Sequence, residues 1–462
     1  MIPIYLQQLA HIIDGYLIGN NIEIKTVVSD TRQFIDPTNS PLFIAIKGKN
    51  FDGHNFIEKA ITQGVSAILV SHILKVTIPQ ILVTNTLIAL GKIAAWVRQQ
   101  VNVQVIAITG STGKTTVKEM VTNILRYRGK TLSTLANMNN EIGVPLTLLQ
   151  LTKEHEFAVV ELGANHSGEI YYTVQLTCPD VVLINNIAIS HLKGFGSLLG
   201  VAKAKGEILK GLKDYGIAII NIESKHWQQH YWHKMLINKL VWNFSLKFKR
   251  NCNFFASNIH IKNKNNNSQF IIHTPKGKIE ILFPLLGKHN IVNAIAATAL
   301  ALSFNISLEI IKIGLETLHP LVGRMFPIFL DKSHKKLLLD DSYNSNLASM
   351  NAAIHTLSKI QGYRVMVIGD IFELGTQGSE YHKIIGLATR FAGIDKVLTL
   401  GQLSKNISVI HYNSEHFLKK SKLINRIKRL LEVNQHITIL IKGSRHMFME
   451  TIIRSLQEEV NK

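Results

Sequence analysis

Residues 106–116 read Ile106-Ala107-Ile108-Thr109-Gly110-Ser111-Thr112-Gly113-Lys114-Thr115-Thr116. Val103 to Thr109 is β-branched and apolar, the composition of a strand buried on both faces. Beyond the glycines, Val117, Met120, Val121, Ile124 and Leu125 recur on one side of a 3.6-residue helix. Gly110 and Gly113 therefore fall in a turn from strand to helix, where free backbone N–H groups and the positive helix end can hold a phosphate. Lys114 is placed to reach the outer phosphates, and the Thr115 hydroxyl to ligate Mg²⁺. Ile108 stands where the general Walker A pattern has its first glycine, so this is the shorter T-G-x-x-G-K-T form. Glycine-rich turns between strand and helix are common without any ligand, but here strand, glycines, lysine, paired threonines and helix all agree. The expectation is a nucleoside triphosphate, ATP, with Gly110, Ser111, Thr112, Gly113, Lys114, Thr115 and Thr116 around its phosphates.

Downstream, Glu156 to Glu161 is a buried strand with a carboxylate at its C-terminal end, where ligands sit in open parallel sheets. Asp180 to Asn185 and Gly216 to Asn221 are further strands, and His191 follows the first of these. Glu161 and His191 are candidate metal ligands beside the triphosphate, although a lone carboxylate or histidine is more often structural. A helix between Leu199 and Leu212 carries Lys203, Lys205 and Glu207. Residues 253 to 283 alternate like antiparallel strands, with Pro275-Lys276-Gly277-Lys278 as a hairpin turn. His289-Asn290 opens an alanine-rich helix with Asn293 one turn on; amides there can read an adenine edge, or Asn290 can cap the helix.

At 462 residues the chain has length for about three domains. With 46% apolar and 18% charged residues, it can build several cores and is not disordered throughout. Two cysteines are too few for a disulfide framework, and the opening Met-Ile-Pro-Ile-Tyr-Leu has no signal-peptide character. No run of about 20 apolar residues is free of polar interruption, so no membrane span is expected and the cytoplasm is the default. The formal net charge of +20 raises nucleic-acid binding. Its lysines are scattered among asparagine and isoleucine, as at 263–267, without interleaved aromatics and arginines. The excess reads as solvated surface, and no nucleic-acid partner is expected.

The architecture expected is α/β in three domains. Residues 1–84 form a small N-terminal α/β domain, 85–318 a central P-loop-type parallel-sheet ATPase domain, and 319–462 a C-terminal Rossmann-like domain. In the first, Arg32, Lys47 and His54 could hold a diphosphate or uridine group, or simply cap turns. In the third, Leu337 to Asn346, Tyr363 to Gly369, Lys396 to Leu400 and Ile437 to Ile441 are strands separated by helices, with polar groups at their ends.

Taken in order, Thr109 to Thr115, Glu161, His191, His289-Asn290-Ile291-Val292-Asn293 and Asp341 resemble the Mur ligases, the ATP-dependent amide ligases that build the peptidoglycan stem peptide. Four further segments resemble the branch that adds D-alanyl-D-alanine to UDP-N-acetylmuramoyl-tripeptide. They are Glu161 to His166, Asp340 to Asn344, Gly369 to Gly375 and Lys442 to Arg445, with Ala202-Lys203-Ala204-Lys205-Gly206-Glu207 equally typical. Ile371 replaces a common Met, a mild departure. The resemblance implies phosphorylation of the tripeptide carboxylate by ATP and attack of the dipeptide amine on the acyl phosphate. It also implies two Mg²⁺ ions, with Thr115, Glu161, His191 and Lys205 as their ligands, Lys205 acting as a carbamate. Lys114, Glu161, His191 and Lys205 are then the catalytic set. Asn290, Asn293, Arg324 and Asp341 would hold ATP. Asn344, Asp370 and Arg445 would hold the dipeptide, and Thr31, Arg32 and His54 the UDP end, in a monomer. A folylpolyglutamate synthase-like ligase shares the phosphate turn but lacks the unit around Asp30-Thr31-Arg32. A nucleic-acid-stimulated ATPase and a silent scaffold are the alternatives from other classes.

Overall fold

Continuous apolar runs become the inner strands of parallel sheets in the computed structural model, which describes residues 1–33, 35–48, 51–224, 231–262 and 267–460. The asparagine-rich residues 263–266 lie outside that description. The first sheet has five strands in the order Tyr16–Ile18, Gln80–Leu82, Ala67–Val70, Pro41–Ile44, Thr26–Val28. All its pairs are parallel except the first. The helix Thr86–Gln99, capped by the Asn85 side chain, leads out of it.

The second sheet has six parallel strands in the order Leu240–Phe244, Ile217–Asn221, Val181–Ile184, Gln104–Thr109, Phe157–Glu161, Thr131–Ser133. Chain order reverses direction around Gln104–Thr109, so the turn at 110–113 opens at the switch point where such sheets bind ligands. Register aligns the edge: Glu161 pairs with Ile108, and Ile184 with Thr109. Helices Lys114–Arg126 and Lys288–Ser303 cover one face, and a three-stranded antiparallel sheet (Phe255–Lys262, Asn267–Thr274, Gly277–Phe283) closes that core. The segment read as one helix from Leu199 is an α-helix, Leu198–Gly206, followed by the tighter turn Glu207–Gly211.

The third sheet has six strands in the order Phe326–Phe329, Lys336–Asp341, Ile437–Lys442, Tyr363–Gly369, Lys396–Leu400, Ser414–Phe417. Only the Phe326–Phe329 edge runs antiparallel. Asp341 pairs with Lys442, which is also opposite Ile368, so acid, lysine and the loop after Gly369 share one edge.

The cores divide unevenly. One cluster runs from Leu42 and Ile44 of the first sheet through Leu90 and Ile93 to Val105, Val160 and Ile184 of the second. The third sheet has a core on each face, built from residues of 325–456.

Candidate active site

Gly113 has a φ of 76° and begins the helix Lys114–Arg126 with no side-chain cap. A Cβ there would stand 2.5 Å from Asn293 Oδ1 and 2.6 Å from Asn185 Nδ2, so only glycine fits. The N–H groups of Lys114, Thr115 and Thr116 open the helix without intrahelical acceptors and form the anion cradle. The turn before them is less free than its sequence implies. Ser111 N–H donates to Asn186 O at 3.1 Å, and Thr112 N–H to Asn186 Oδ1 at 2.9 Å. Asn185 donates to Thr112 O and to Asn293 Oδ1, each at 3.0 Å. These amides hold the turn in shape before any phosphate arrives.

Lys114 folds back to donate to Gly110 O at 3.0 Å, and burial draws its ammonium below the usual lysine range. Glu161 is 2% exposed. Its carboxylate accepts from the Thr115 hydroxyl and from Asn139 Nδ2, both at 2.8 Å. Thr115 hydroxyl and Glu161 carboxylate form a hard-oxygen pair beside the phosphate cradle, a donor set that suits a divalent cation completed by phosphate oxygens and water. Among the described residues no three His, Cys, Asp or Glu side chains gather into a cage.

Lys205 is 1% exposed, whereas Lys203 is exposed with its ammonium 5.8 Å from the Tyr231 ring. Burial first, then the nearby Lys114 charge, bring Lys205 down to about 7. A substantial fraction of the amine is thus neutral near pH 7, and the neutral amine is the form that reacts with CO₂ to give a carbamate. It lies 5.5 Å from the Phe195 ring, which His191 also contacts edge-on at 6.3 Å. Glu207 makes no direct ion pair with it: that carboxylate accepts from Ser167 Oγ, Gly168 N–H and Tyr171 N–H.

Asn290 and Asn293 line the same cleft. Gly287, not Asn290, occupies the helix cap, and Asn290 donates back to Leu286 O at 2.8 Å. Asn293 braces the phosphate turn through Asn185.

From the third sheet, Arg324 donates to the Thr115 hydroxyl at 2.9 Å and lies 4.5 Å from the Tyr343 ring. Asp341 meets Lys442 at 2.6 Å; burial lifts its carboxyl above the ordinary range against the pull of that ammonium. Asn344 and Arg445 line the cleft, with Arg445 N–H 3.4 Å from Asn344 Oδ1. Asp370 does not reach it: its oxygens accept from Ser404 N–H at 2.7 Å and Gln402 N–H at 2.9 Å. Thr31, Arg32 and His54 also lie outside the cleft lining. Arg32 pairs with Asp30 at 2.7 Å and is 85% exposed. His54 spends Nδ1 on Asp52 and Nε2 on the Ser71 N–H. Those contacts are what turn-capping groups make.

Sequence reasoning assigned no role to Asn139, Asn185, Asn186, Tyr343, Glu373 or Lys442, although the last three fall inside the segments that carry the resemblance. The signal was there for three of them, since Asn185 and Asn186 directly follow the apolar strand Val181–Ile184 and Lys442 ends the strand Ile437–Lys442.

Both walls enclose one cleft of about 1020 Å³. Family models describe the same chain. The Mur ligase family catalytic domain matches residues 38–138, the Mur ligase middle domain 108–301, and the Mur ligase glutamate ligase domain 323–445. A UDP-N-acetylmuramoyl-tripeptide–D-alanyl-D-alanine ligase of Escherichia coli is 48% identical over 458 residues, 99% of each chain. The chain belongs to the Mur ligase family.

Solved Mur ligases share its fold. MurF from Acinetobacter baumannii superposes with a TM-score of 0.91 at 35% identity, covering 99% of each chain. MurF from Thermotoga maritima, solved in complex with ADP, gives 0.83 at 23% identity over 95% of this chain and 98% of that one. No helix among the described residues of this Mur ligase is long and apolar enough to cross a membrane.

Proposed function

We propose that this Mur ligase joins D-alanyl-D-alanine to UDP-N-acetylmuramoyl-tripeptide through an acyl phosphate, releasing ADP and phosphate in peptidoglycan synthesis. One observation carries the reading: the phosphate turn and Glu161 share a cleft with Arg324, Asp341, Asn344 and Arg445 of the opposite wall. A two-walled site lets closure exclude water from a hydrolysable acyl phosphate.

The helix N–H groups and Lys114 take up charge on the transferring phosphoryl group. Arg324 and Asp341 position ATP from the C-terminal side, and Asn290 and Asn293 hold its site from below. Mg²⁺, when bound, would neutralise phosphate charge, held by the Thr115 hydroxyl and Glu161, with His191 and a Lys205 carbamate as ligands of a second ion. Asn344 and Arg445 face the incoming dipeptide, while Asp370 fixes the loop beside them. Domain roles follow: 1–84 takes the UDP precursor through Thr31, Arg32 and His54, 85–318 takes ATP, and 319–462 takes the dipeptide and completes the ATP site. We place the enzyme in the cytoplasm and read it as a monomer, a cleft with both walls from one chain needing no partner's residue to complete it.

The deciding assay is phosphate release with UDP-N-acetylmuramoyl-tripeptide and ATP, with and without D-alanyl-D-alanine. Release that requires the dipeptide and yields the joined product is expected. ATP hydrolysis stimulated by DNA or RNA and indifferent to the dipeptide would overturn the reading.

A further inference from the structure

Glu373 Oε2 lies 2.5 Å from His191 Nδ1. The histidine, which lines the cleft, follows a strand of the central sheet and the glutamate follows a strand of the C-terminal one, so the pair joins the two units. A second link doubles it, Lys193 N–H donating to Glu373 O at 3.3 Å. The loop presenting Glu373 is fixed on every side. Asp370 is anchored to the backbone of Gln402 and Ser404, Ile371 N–H donates to His382 Nε2 at 3.1 Å, and Phe372 N–H to Ser444 Oγ at 2.9 Å.

Both partners also hold a costly backbone. Glu373 has a φ of 64° and His191 a φ of 49°, left-handed values that side chains with a Cβ adopt rarely. Such conformations persist where the surroundings impose them, and they cluster at working sites. Nδ1 meets Glu373 at ion-pair distance but without the alignment of a formed hydrogen bond, and Nε2 has no protein partner among the described residues.

We propose that Glu373 is a positioning residue for His191, locking its ring only while the C-terminal unit is docked on the central one. The inference rests on the ligase reading above and adds a residue to its machinery. Partners of this kind, which orient a ligating histidine through its second nitrogen, typically carry about 10-fold to 100-fold of affinity or activity. Since the orientation is lost when the units part, an undocked enzyme holds its triphosphate beside an unpositioned histidine and turns it over slowly.

The test compares full-length wild type with Glu373→Ala, Glu373→Gln, His191→Ala and the double Glu373→Ala/His191→Ala variant. Ligation kinetics and small-angle scattering with and without ADP are measured on each. Glu373→Ala should lose about 10-fold to 100-fold in kcat, with the KM for the nucleotide precursor unchanged and Glu373→Gln falling between it and wild type. The double variant should be no slower than His191→Ala alone, because Glu373 acts through the histidine. With ADP, Glu373→Ala should compact less than wild type. A kcat within twofold of wild type, multiplicative losses in the double variant, or wild-type compaction would each overturn the proposal. A wild type that compacts with ADP but never joins the dipeptide would instead refute the ligase reading, and the scattering comparison would still judge Glu373.

Discussion

Arg324 donates from Nη2 to the Thr115 hydroxyl at 2.9 Å, and that hydroxyl donates onward to Glu161 at 2.8 Å. A guanidinium from one unit thus reads the phosphate end of another, stacked on Tyr343 as it does so. Lysine keeps the charge but loses the planar stack and the fork of donors. Arg324→Lys should therefore lower kcat/KM for ATP about tenfold, one step of roughly 1.4 kcal/mol. A variant with an unchanged ATP term and a raised KM for the dipeptide would show that Arg324 serves the other substrate.

Lys114→Ala removes the cation beside the phosphate turn and leaves the helix start intact. Ligation should fall at least about 100-fold, the usual loss on deleting one transition-state-stabilising donor. Circular dichroism and melting temperature check that the variant folds; a folded variant with near-normal turnover would sink the assignment.

Arg32 lies away from bond making, in a loop held by Asp30. Arg32→Ala should raise KM for the nucleotide precursor and leave kcat nearly unchanged, the pattern of lost uniform binding. A rise in KM for D-alanyl-D-alanine instead would mean that the end domains exchange roles.

The motif resemblance picks Lys205 over Lys203, and the structure buries Lys205 while it leaves Lys203 exposed. Lys205→Ala should be nearly inactive, and added short carboxylic acids should restore part of the rate by supplying the missing anion. Lys203→Ala should keep most of its activity. Equal sensitivity at both positions, or full activity in CO₂-free buffer without acid rescue, would count against a carbamate.

His289 supplies a pH dependence of stability. Burial, helped by the charges of Lys442 and His355, holds its ring down at about 4. The unfolded chain takes up that proton near pH 6.5, so between about 6.5 and 4 the unfolded state binds more protons and stability falls as pH falls. The loss should be on the order of 2 kcal/mol, allowing for the part of the ring that water still reaches. Urea midpoints from pH 7 to 4 should slope less steeply in His289→Gln than in wild type. Parallel slopes would remove His289 from the account.

The inner strands were legible because burial on both faces demands unbroken apolar runs, and Ala67–Val70, Val181–Ile184 and residues 365–368 are such runs. Short edge strands were not. Thr131–Ser133 and Ser414–Phe417 carry polar residues and half-exposed faces, so nothing in their composition separates them from loops. Within the site, the phosphate turn and Glu161 could be read from local sequence because each sits at a strand end. The Glu373–His191 pair could not, because it exists only through the docking of two sheets. Asp370 shows the converse error: an acid after a strand looks like a ligand, yet its own turn at 402–404 consumes both oxygens.

The shared core has a mechanical consequence. The first two sheets bury one continuous apolar cluster, whereas the third keeps its own on either face. Heat should therefore melt residues 1 to about 318 as a single cooperative block and the C-terminal portion as another, giving two calorimetric transitions rather than three. The same partition predicts one articulation, near residues 319–323. The expected motion is a swing of the C-terminal portion against the two-sheet base, and scattering curves with and without nucleotide would measure it.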